Sequence, residues 1–360
     1  MSTILIKDSL RQAVEAASGG KQTVLYTAKG QPTFMNIIEK YDLSEINSTL
    51  AGTHPAFVVN GVVKDVIYVG TYQGVEKNGE YLSLPNQSPT GSKTFDQFTA
   101  LVRANGSGHH LITNAEWSAI ALRSYKNGTQ PYGNNNYGLS TEDSTLKGRR
   151  IDGGVAGVVG GINPISYTGS GPVQWRHNNQ YNGLSDLSGN VLESVIGVRI
   201  YNGEIQVIPN NDAALSSVDL TASSPAWKAI DGLTGELITP NGSGTTANSV
   251  RVIESGVADY SIVVGVSGSS YGLFANPSTT KPVSAAALNK LKALCLFPHE
   301  NLPSSYLLDS ASFSYSDERL VLRGGSYVSS TKSGIFHILA TANRSTIYTV
   351  HCSRPAYYTP

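Results

Sequence analysis

Asn60-Gly61 and Asn202-Gly203 each stand between two runs rich in β-branched and aromatic residues, FVV and VVKDVIYVGTYQ in the first case, VRIY and EIQVI in the second. The type I′ two-residue turn between antiparallel strands needs positive φ at both positions, and Asn-Gly is the strongest short-range signal for it. The chain is therefore committed to hairpins. A third is predicted where Lys29-Gly30 separates Thr23–Tyr26 from Thr33–Ile37. Composition agrees. Charged residues make up 14% of the 360, against 37 glycines and 19 tyrosines, which suits a turn-rich β protein with an uncharged outer surface. Basic and acidic side chains balance at 26 each. A nucleic-acid partner would ask for a basic face, so none is expected.

Four helices punctuate the strands. Leu10, Val14 and Ala17 recur at helical spacing over 7–17, and Gly19-Gly20 stops that run. Thr94 caps a second helix through about Ala104. Thr113 or Asn114 opens a third through about Tyr125, with Glu116 completing a capping box from Thr113. Ser284–Leu296 is predicted as the fourth, stopped by Pro298. From 127 to 182 the chain is rich in Gly, Asn and Ser and reads as a long loop region held by Trp175 and Tyr167. Residues 209–250 are polar and irregular, and 320–360 is strand-like. The chain shows no internal repeat, no secretory signal and no apolar run long enough for membrane insertion. Cys295 and Cys352 are too far apart in sequence for a disulfide framework or zinc pattern and read as two free thiols, one of them buried.

Four stretches carry a resemblance. GHHLITNAEW at 108–117, GLSDLSGNVLE at 183–193, LRGGSY at 322–327 and SRPA at 353–356 occur in the order and at the spacing of the signature segments of the formylglycine-generating-enzyme (sulfatase-modifying factor) family. The resemblance covers roughly 54–358 and is thinnest over 198–320. It implies an α+β, C-type-lectin-like fold of that subtype. On it, Trp117 fills the core, Gly189 makes a turn that other residues strain, and Gly324 and Gly325 belong to the fixed scaffold. Arg323 and Arg354 are expected to pair with buried carboxylates such as Glu193 or Asp186. The chain departs from the family at Leu192 and Ser194, where Trp is usual.

Two functions live on that scaffold. The oxidases use two cysteines close together near the C-terminal end to bind copper; here only Cys352 lies there, and a thiolate site needs convergent soft ligands. The second branch is the variable proteins of diversity-generating retroelements, which include phage tail receptor-binding proteins of the major tropism determinant type. Their C-terminal segment is rewritten chiefly at Asn codons, whose products exclude Trp, Lys, Met, Glu and Gln. From Tyr327 to Ser353, Lys332 alone falls in the excluded set.

Periodicity within this segment sorts its residues. Phe336, Ile338, Ala340 and Ala342 share one parity and are expected to face the core. His337, Leu339, Thr341 and Asn343 then point outward. With Tyr327, Val328, Ser330, Thr331, Thr346, Tyr348, Val350 and His351 they form the expected ligand-binding set. Tyr beside Ser and Thr is paratope-like: rigid aromatic area with short, adaptable hydrogen-bonding groups.

Asn190 and Glu193 match positions that contribute to calcium sites in some relatives, so a structural calcium is an expectation there. The EPN, QPD and WND triplets of calcium-dependent lectins are absent, and lectin activity does not follow from the fold. His109-His110 do not converge on one side. Asn134-Asn135-Asn136 reads as a polar loop tip, and Lys147, Arg149 and Arg150 as a solvated face. Gly153-Gly154 and Gly160-Gly161 lack the strand-and-helix frame of a phosphate loop.

Taken together, the sequence predicts a helix and hairpin over 1–50 serving attachment or assembly. A C-type-lectin-like domain follows over 51–360, with an insertion at about 200–310 and a variable region at 323–353. The expected function is binding of a bacterial cell-surface receptor by a phage or prophage tail-tip protein, with no catalysis. Such a protein is expected as a homotrimer among other tail proteins, located on the virion. A bacterial surface-displayed variable protein is the alternative.

Overall fold

Each Asn-Gly pair makes the turn its position demands. Asn60 and Gly61 take φ of 50° and 73°, Asn202 and Gly203 48° and 86°. They join Val58–Val59 to Val62–Val63 and Leu192–Tyr201 to Glu204–Val207 as antiparallel hairpins. The Lys29-Gly30 hairpin pairs Gln22–Tyr26 with Pro32–Glu39, Val24 opposite Phe34. The computed structural model describes residues 8–161, 163–253, 261–263, 271–275, 277–279, 282–300 and 302–360.

Two helices begin at their predicted caps, Thr94 and Thr113, and Asp8 and Ser284 cap the other two. Asp8 accepts from the Arg11 amide at the start of α1 (Ser9–Ser18), and Gly19 closes it in a left-handed conformation. Thr94 and Gln97 form a capping box on α2 (Phe95–Arg103). Thr113 and Glu116 form another on α3 (Asn114–Asn127). Ser284 caps α4 (Ala285–Ala293). Helix α3 is buried over most of its length, and the Trp117 indole donates to the Ile335 carbonyl at 2.8 Å. Helix α1 instead leaves Leu10 and Ala17 exposed.

The described fold is mixed α+β and mostly sheet. A five-stranded antiparallel sheet runs in the order Gln22–Tyr26, Pro32–Glu39, Val66–Gly70, Pro355–Tyr357, His109–Leu111. The C-terminal strand thus lies inside the sheet that begins with the N-terminal hairpin, and this sheet crosses the boundary drawn at residue 50. A larger sheet has Leu192–Tyr201 between Glu318–Gly324 and Glu204–Val207. Gly334–Ala342 adds beyond Glu318–Gly324, and His351–Ser353 runs parallel to the start of Leu192–Tyr201. Strands Lys228–Ile230, Arg251–Ile253 and Ser261–Val263 extend the sheet from Glu204–Val207, so the 200–310 region shares its core.

Sequence expectations for the long loop region need correction. Trp175 is buried as expected, and Tyr167 lies half-buried beneath the Arg149 guanidinium. Asn134 and Asn135, however, are buried rather than at a tip. The Asn134 amide donates to Asn190 Oδ1 at 3.1 Å and to Ser166 Oγ at 3.1 Å, and its oxygen accepts from the Gly138 amide. A region without regular structure must satisfy its buried backbone through side chains, and these asparagines do so. Gly189 sits against this pin at φ 72°; a Cβ there would run into the Asn134 carbonyl oxygen. Arg150 is likewise buried, paired with Asp152, whereas Lys147 and Arg149 remain exposed. Both cysteines are buried and free, not one.

Candidate ligand-binding surface

Two buried arginines anchor the C-terminal segment. Arg354 follows strand His351–Ser353, and its guanidinium meets Glu193 in a fork: Nε to Oε2 at 3.0 Å, Nη2 to Oε1 at 2.7 Å. It also donates to the carbonyls of Gly70 and Ser185. Burial raises the Glu193 carboxyl from its ordinary value, and the Arg354 charge opposes that shift. Among the described residues Arg323 pairs with no carboxylate. It donates to Asn114 Oδ1 and to the carbonyls of Leu294 and Cys295, and burial pushes its pKa down to about 10. Strand Glu318–Gly324 turns Arg323 toward the helix side of the sheet, where α3 and α4 offer neutral acceptors.

Asn190 and Glu193 do not fit a calcium ion. Asn190 Oδ1 accepts from the Ser166 amide at 2.7 Å and from Asn134, and its amide nitrogen donates to Gln73 and to the Ser166 carbonyl. Both Glu193 oxygens face Arg354, and Gln73 adds a third donor. Calcium needs six or more oxygens free to turn toward it. These are already held by N–H groups, so the calcium expectation is set aside.

The segment between the arginines folds as two loops around one strand. Gly324 and Gly325, with φ of 85° and 81°, end the first strand and start a loop that closes on itself, Ser333 Oγ donating to the Gly324 carbonyl. The Tyr327 amide donates to the Asn190 carbonyl and its own carbonyl accepts from the Tyr137 amide, each at 3.0 Å. The Tyr327 ring stands edge-on to Tyr137, 5.4 Å between centroids. Val328 is exposed, as is Ser330, while Thr331 is half-buried. In the second loop, Asn343 Oδ1 accepts from the Ser345 amide and from the hydroxyls of Ser345 and Thr346. Asn343 and Thr346 thus build an Asx-type turn as well as facing solvent.

Strand Gly334–Ala342 divides as predicted at Phe336, Ile338 and Ala340, which belong to the main core. Ala342 does not. A bulge shifts the register, so that Leu322 faces Leu339 but Leu320 faces Ala342. The extra residue reverses parity, and Ala342 joins Leu339 on the opposite side. There Leu339 and Tyr348 pack half-buried over Leu192, Leu322 and Ala342 in an apolar patch separate from the main core. Tyr327 and Val350 form a second patch with Ile165, Val191 and Cys352. The two patches adjoin in the chain at Val191-Leu192. Thr341 is half-buried on the same strand.

Two residues expected on the surface are inside. His337 Nδ1 lies 3.0 Å from Ser310 Oγ and 3.1 Å from the Lys332 carbonyl, because the 330–332 turn folds over that stretch of strand. His351 is hydrogen-bonded to Ser194 and meets the edge of Phe98 from α2. Burial pushes each imidazole down to about 4. Leu192 and Ser194, the departures from the family's Trp, thus lie under Tyr348 and against His351. Parity counting also missed Ile347, which is 55% exposed on the second loop. Its signal was an apolar side chain inside a turn of Ser and Thr.

Among the described residues no group of three His, Cys, Asp or Glu converges as metal ligands, and no helix is long and apolar enough to cross a membrane. Cys295 lies in the main core against the Ser118 carbonyl, while Cys352 lies in the Tyr327 patch. Burial raises both thiols, Cys295 to about 12.

The class defined here is an α+β chain, mostly sheet, with half-buried tyrosine and aliphatic patches framed by buried arginines. No family model matches the sequence, and no curated protein matches it. A solved structure similar to it is Treponema denticola variable protein 1, at 12% sequence identity and a TM-score of 0.33, covering 93% of this chain and 98% of that one.

Proposed function

We propose that this chain recognises a ligand through the C-terminal surface over 327–350 and carries out no bond chemistry of its own. The observation that carries the reading is the division of that segment. Phe336, Ile338, Ala340 and Arg354 are fully buried in the frame, while Tyr327 and Val350 lie in one apolar patch and Leu339 and Tyr348 in another, both outside the main core, and Val328 is exposed. Among the described residues the Tyr327 and Tyr348 hydroxyls make no hydrogen bond that the fold needs. A patch of rigid aromatic area with a Ser, Thr and Asn periphery is suited to burying against a partner.

The scaffold reads as C-type-lectin-like, of the formylglycine-generating-enzyme subtype. The positions of the four sequence segments support this: one opens α3, one turns at Gly189, one ends a central strand, and one supplies Arg354 to Glu193. The oxidase reading is disfavoured because Cys295 and Cys352 are buried in different clusters with raised thiol pKa values. Thiolates, not thiols, bind metal or attack.

In this reading the protein is a phage or prophage tail-tip receptor-binding protein, diversified by a retroelement at its outward positions. It acts as a homotrimer on the virion, with a bacterial surface molecule as its receptor. Helix α1, with Leu10 and Ala17 exposed, is the element offered to other tail proteins. Sequencing the gene from sibling phages, together with its neighbours, tests the proposal. Differences should gather at Tyr327, Val328, Ser330, Thr331, Leu339, Thr341, Tyr348 and Val350, beside a reverse-transcriptase gene. Differences spread evenly over the chain would remove the proposal.

A further inference from the structure

The segment GGVAGVVGG at 153–161 carries no charge and no hydrogen-bonding side chain. Val155, Val158 and Val159 are 72%, 56% and 75% exposed. A connecting loop gains nothing from three valines in water. This loop is nevertheless held in one shape. The Arg150 side chain is 2% exposed and forks onto Asp152, Nε to Oδ1 at 2.9 Å and Nη2 to Oδ2 at 2.7 Å. Its remaining donors go to the carbonyls of Val155 at 3.0 Å, Val158 at 2.8 Å and Gly160 at 2.9 Å. Arg150 lowers the Asp152 carboxyl, so the pair stays charged. Gly138, at φ 100°, makes room for it: a Cβ there would stand 2.7 Å from Arg150 Cγ.

The loop is joined to the candidate surface. The Gly157 amide donates to the Tyr137 carbonyl, and the Tyr137 amide donates to the Tyr327 carbonyl. The Tyr137 ring packs on Tyr327, and Val328, beyond it, is 52% exposed. None of 153–161 belongs to the C-terminal segment.

We infer that Val155, Val158 and Val159 form a constant apolar anchor beside the C-terminal surface, and that its occupant is a nonpolar patch on a protein ligand. The inference rests on the ligand-binding reading of 327–350. Chemistry chooses the occupant. No side chain within 153–161 can hydrogen-bond a sugar hydroxyl, the carbonyls of Val155, Val158 and Gly160 are engaged by Arg150, and aliphatic side chains give no ring face for stacking. No Trp, Tyr, Lys or Arg lies within 153–161 to sit among lipid headgroups. A loop fixed in advance loses little freedom on binding. The anchor then supplies affinity that does not depend on which side chains stand at 327–350.

The test uses the full chain and a library of random linear peptides as probe. Enriched peptides should be apolar. Their affinity should fall roughly tenfold or more in the triple variant Val155→Ser, Val158→Ser, Val159→Ser, with thermal unfolding unchanged. The near-isosteric pair Val155→Thr and Val159→Thr, which keeps the loop's shape, should weaken binding in the same direction. A second variant, Tyr327→Ser with Tyr348→Ser, separates the two readings. Loss in both variants supports the joint surface. Loss only in the tyrosine variant overturns the anchor and leaves the C-terminal reading standing. Loss only in the valine variants supports the loop as a docking site and removes the C-terminal reading. No enrichment, or equal binding by all variants, overturns the inference. So does binding of phosphatidylcholine vesicles by the parent that the valine variants lose, since the occupant would then be lipid.

Discussion

At the scale of single residues, burial decides what each group can do. Arg354 and Glu193 form a buried fork, and Arg354 donates further to the carbonyls of Gly70 and Ser185. Removing one partner leaves the other charge buried alone, which costs about 3–5 kcal/mol. Arg354→Met should lose that much stability in urea unfolding. His351 gives a pH signature. Its folded pKa, about 4, lies below the ordinary imidazole value of about 6.5, so the unfolded chain takes up its proton first as the pH falls. The stability it contributes is full above about pH 6.5 and is lost as the pH drops towards about 4. His351→Asn, which retains a partner for Ser194, should flatten the stability profile in that window by up to about 3 kcal/mol. Urea unfolding of both proteins between those pH values checks it, and parallel profiles would contradict the assignment.

At the scale of elements, what was legible in the sequence was local. The Asn-Gly turns and the Thr113–Glu116 box need only a few neighbouring residues, and they formed where they were read. Parity placed Phe336, Ile338 and Ala340 correctly for the same reason. It failed at Ala342, where the bulge lies in the pairing with a neighbouring strand. It failed at His337, which the 330–332 turn covers, and His351, expected as part of the binding set, is covered by α2. The asparagines at 134 and 135 read as a loop tip, and their burial was not legible, because their partners lie on the 142, 166 and 190 segments. The two sides of strand Gly334–Ala342 predict unequal costs. Phe336→Ala should destabilise by about 3–5 kcal/mol, since its ring stacks on Phe274 in the core. Leu339→Ser and Tyr348→Ser, half-buried on the outer side, should cost about 1 kcal/mol each. Thermal unfolding of the three variants measures the contrast.

At the scale of the whole molecule, the chain closes on itself. Pro355–Tyr357 lies between Val66–Gly70 and His109–Leu111, so the last strand holds the N-terminal sheet together. Deleting 355–360 should therefore abolish cooperative unfolding, even though the candidate surface ends before it. The two ends of the segment are fixed in this way, by Arg323 in the helix-side core and Arg354 at the sheet junction, and on the proposed reading the outward positions between them change without carrying the fold. That separation is the central claim. Its most direct test is a library in which Tyr327, Val328, Ser330, Thr331, Leu339, Thr341, Tyr348 and Val350 are randomised together while the frame is kept. The account predicts that most members unfold cooperatively near the parent's midpoint and differ from one another in what they bind. A library whose members mostly fail to fold would show that these residues hold the structure, and would contradict it.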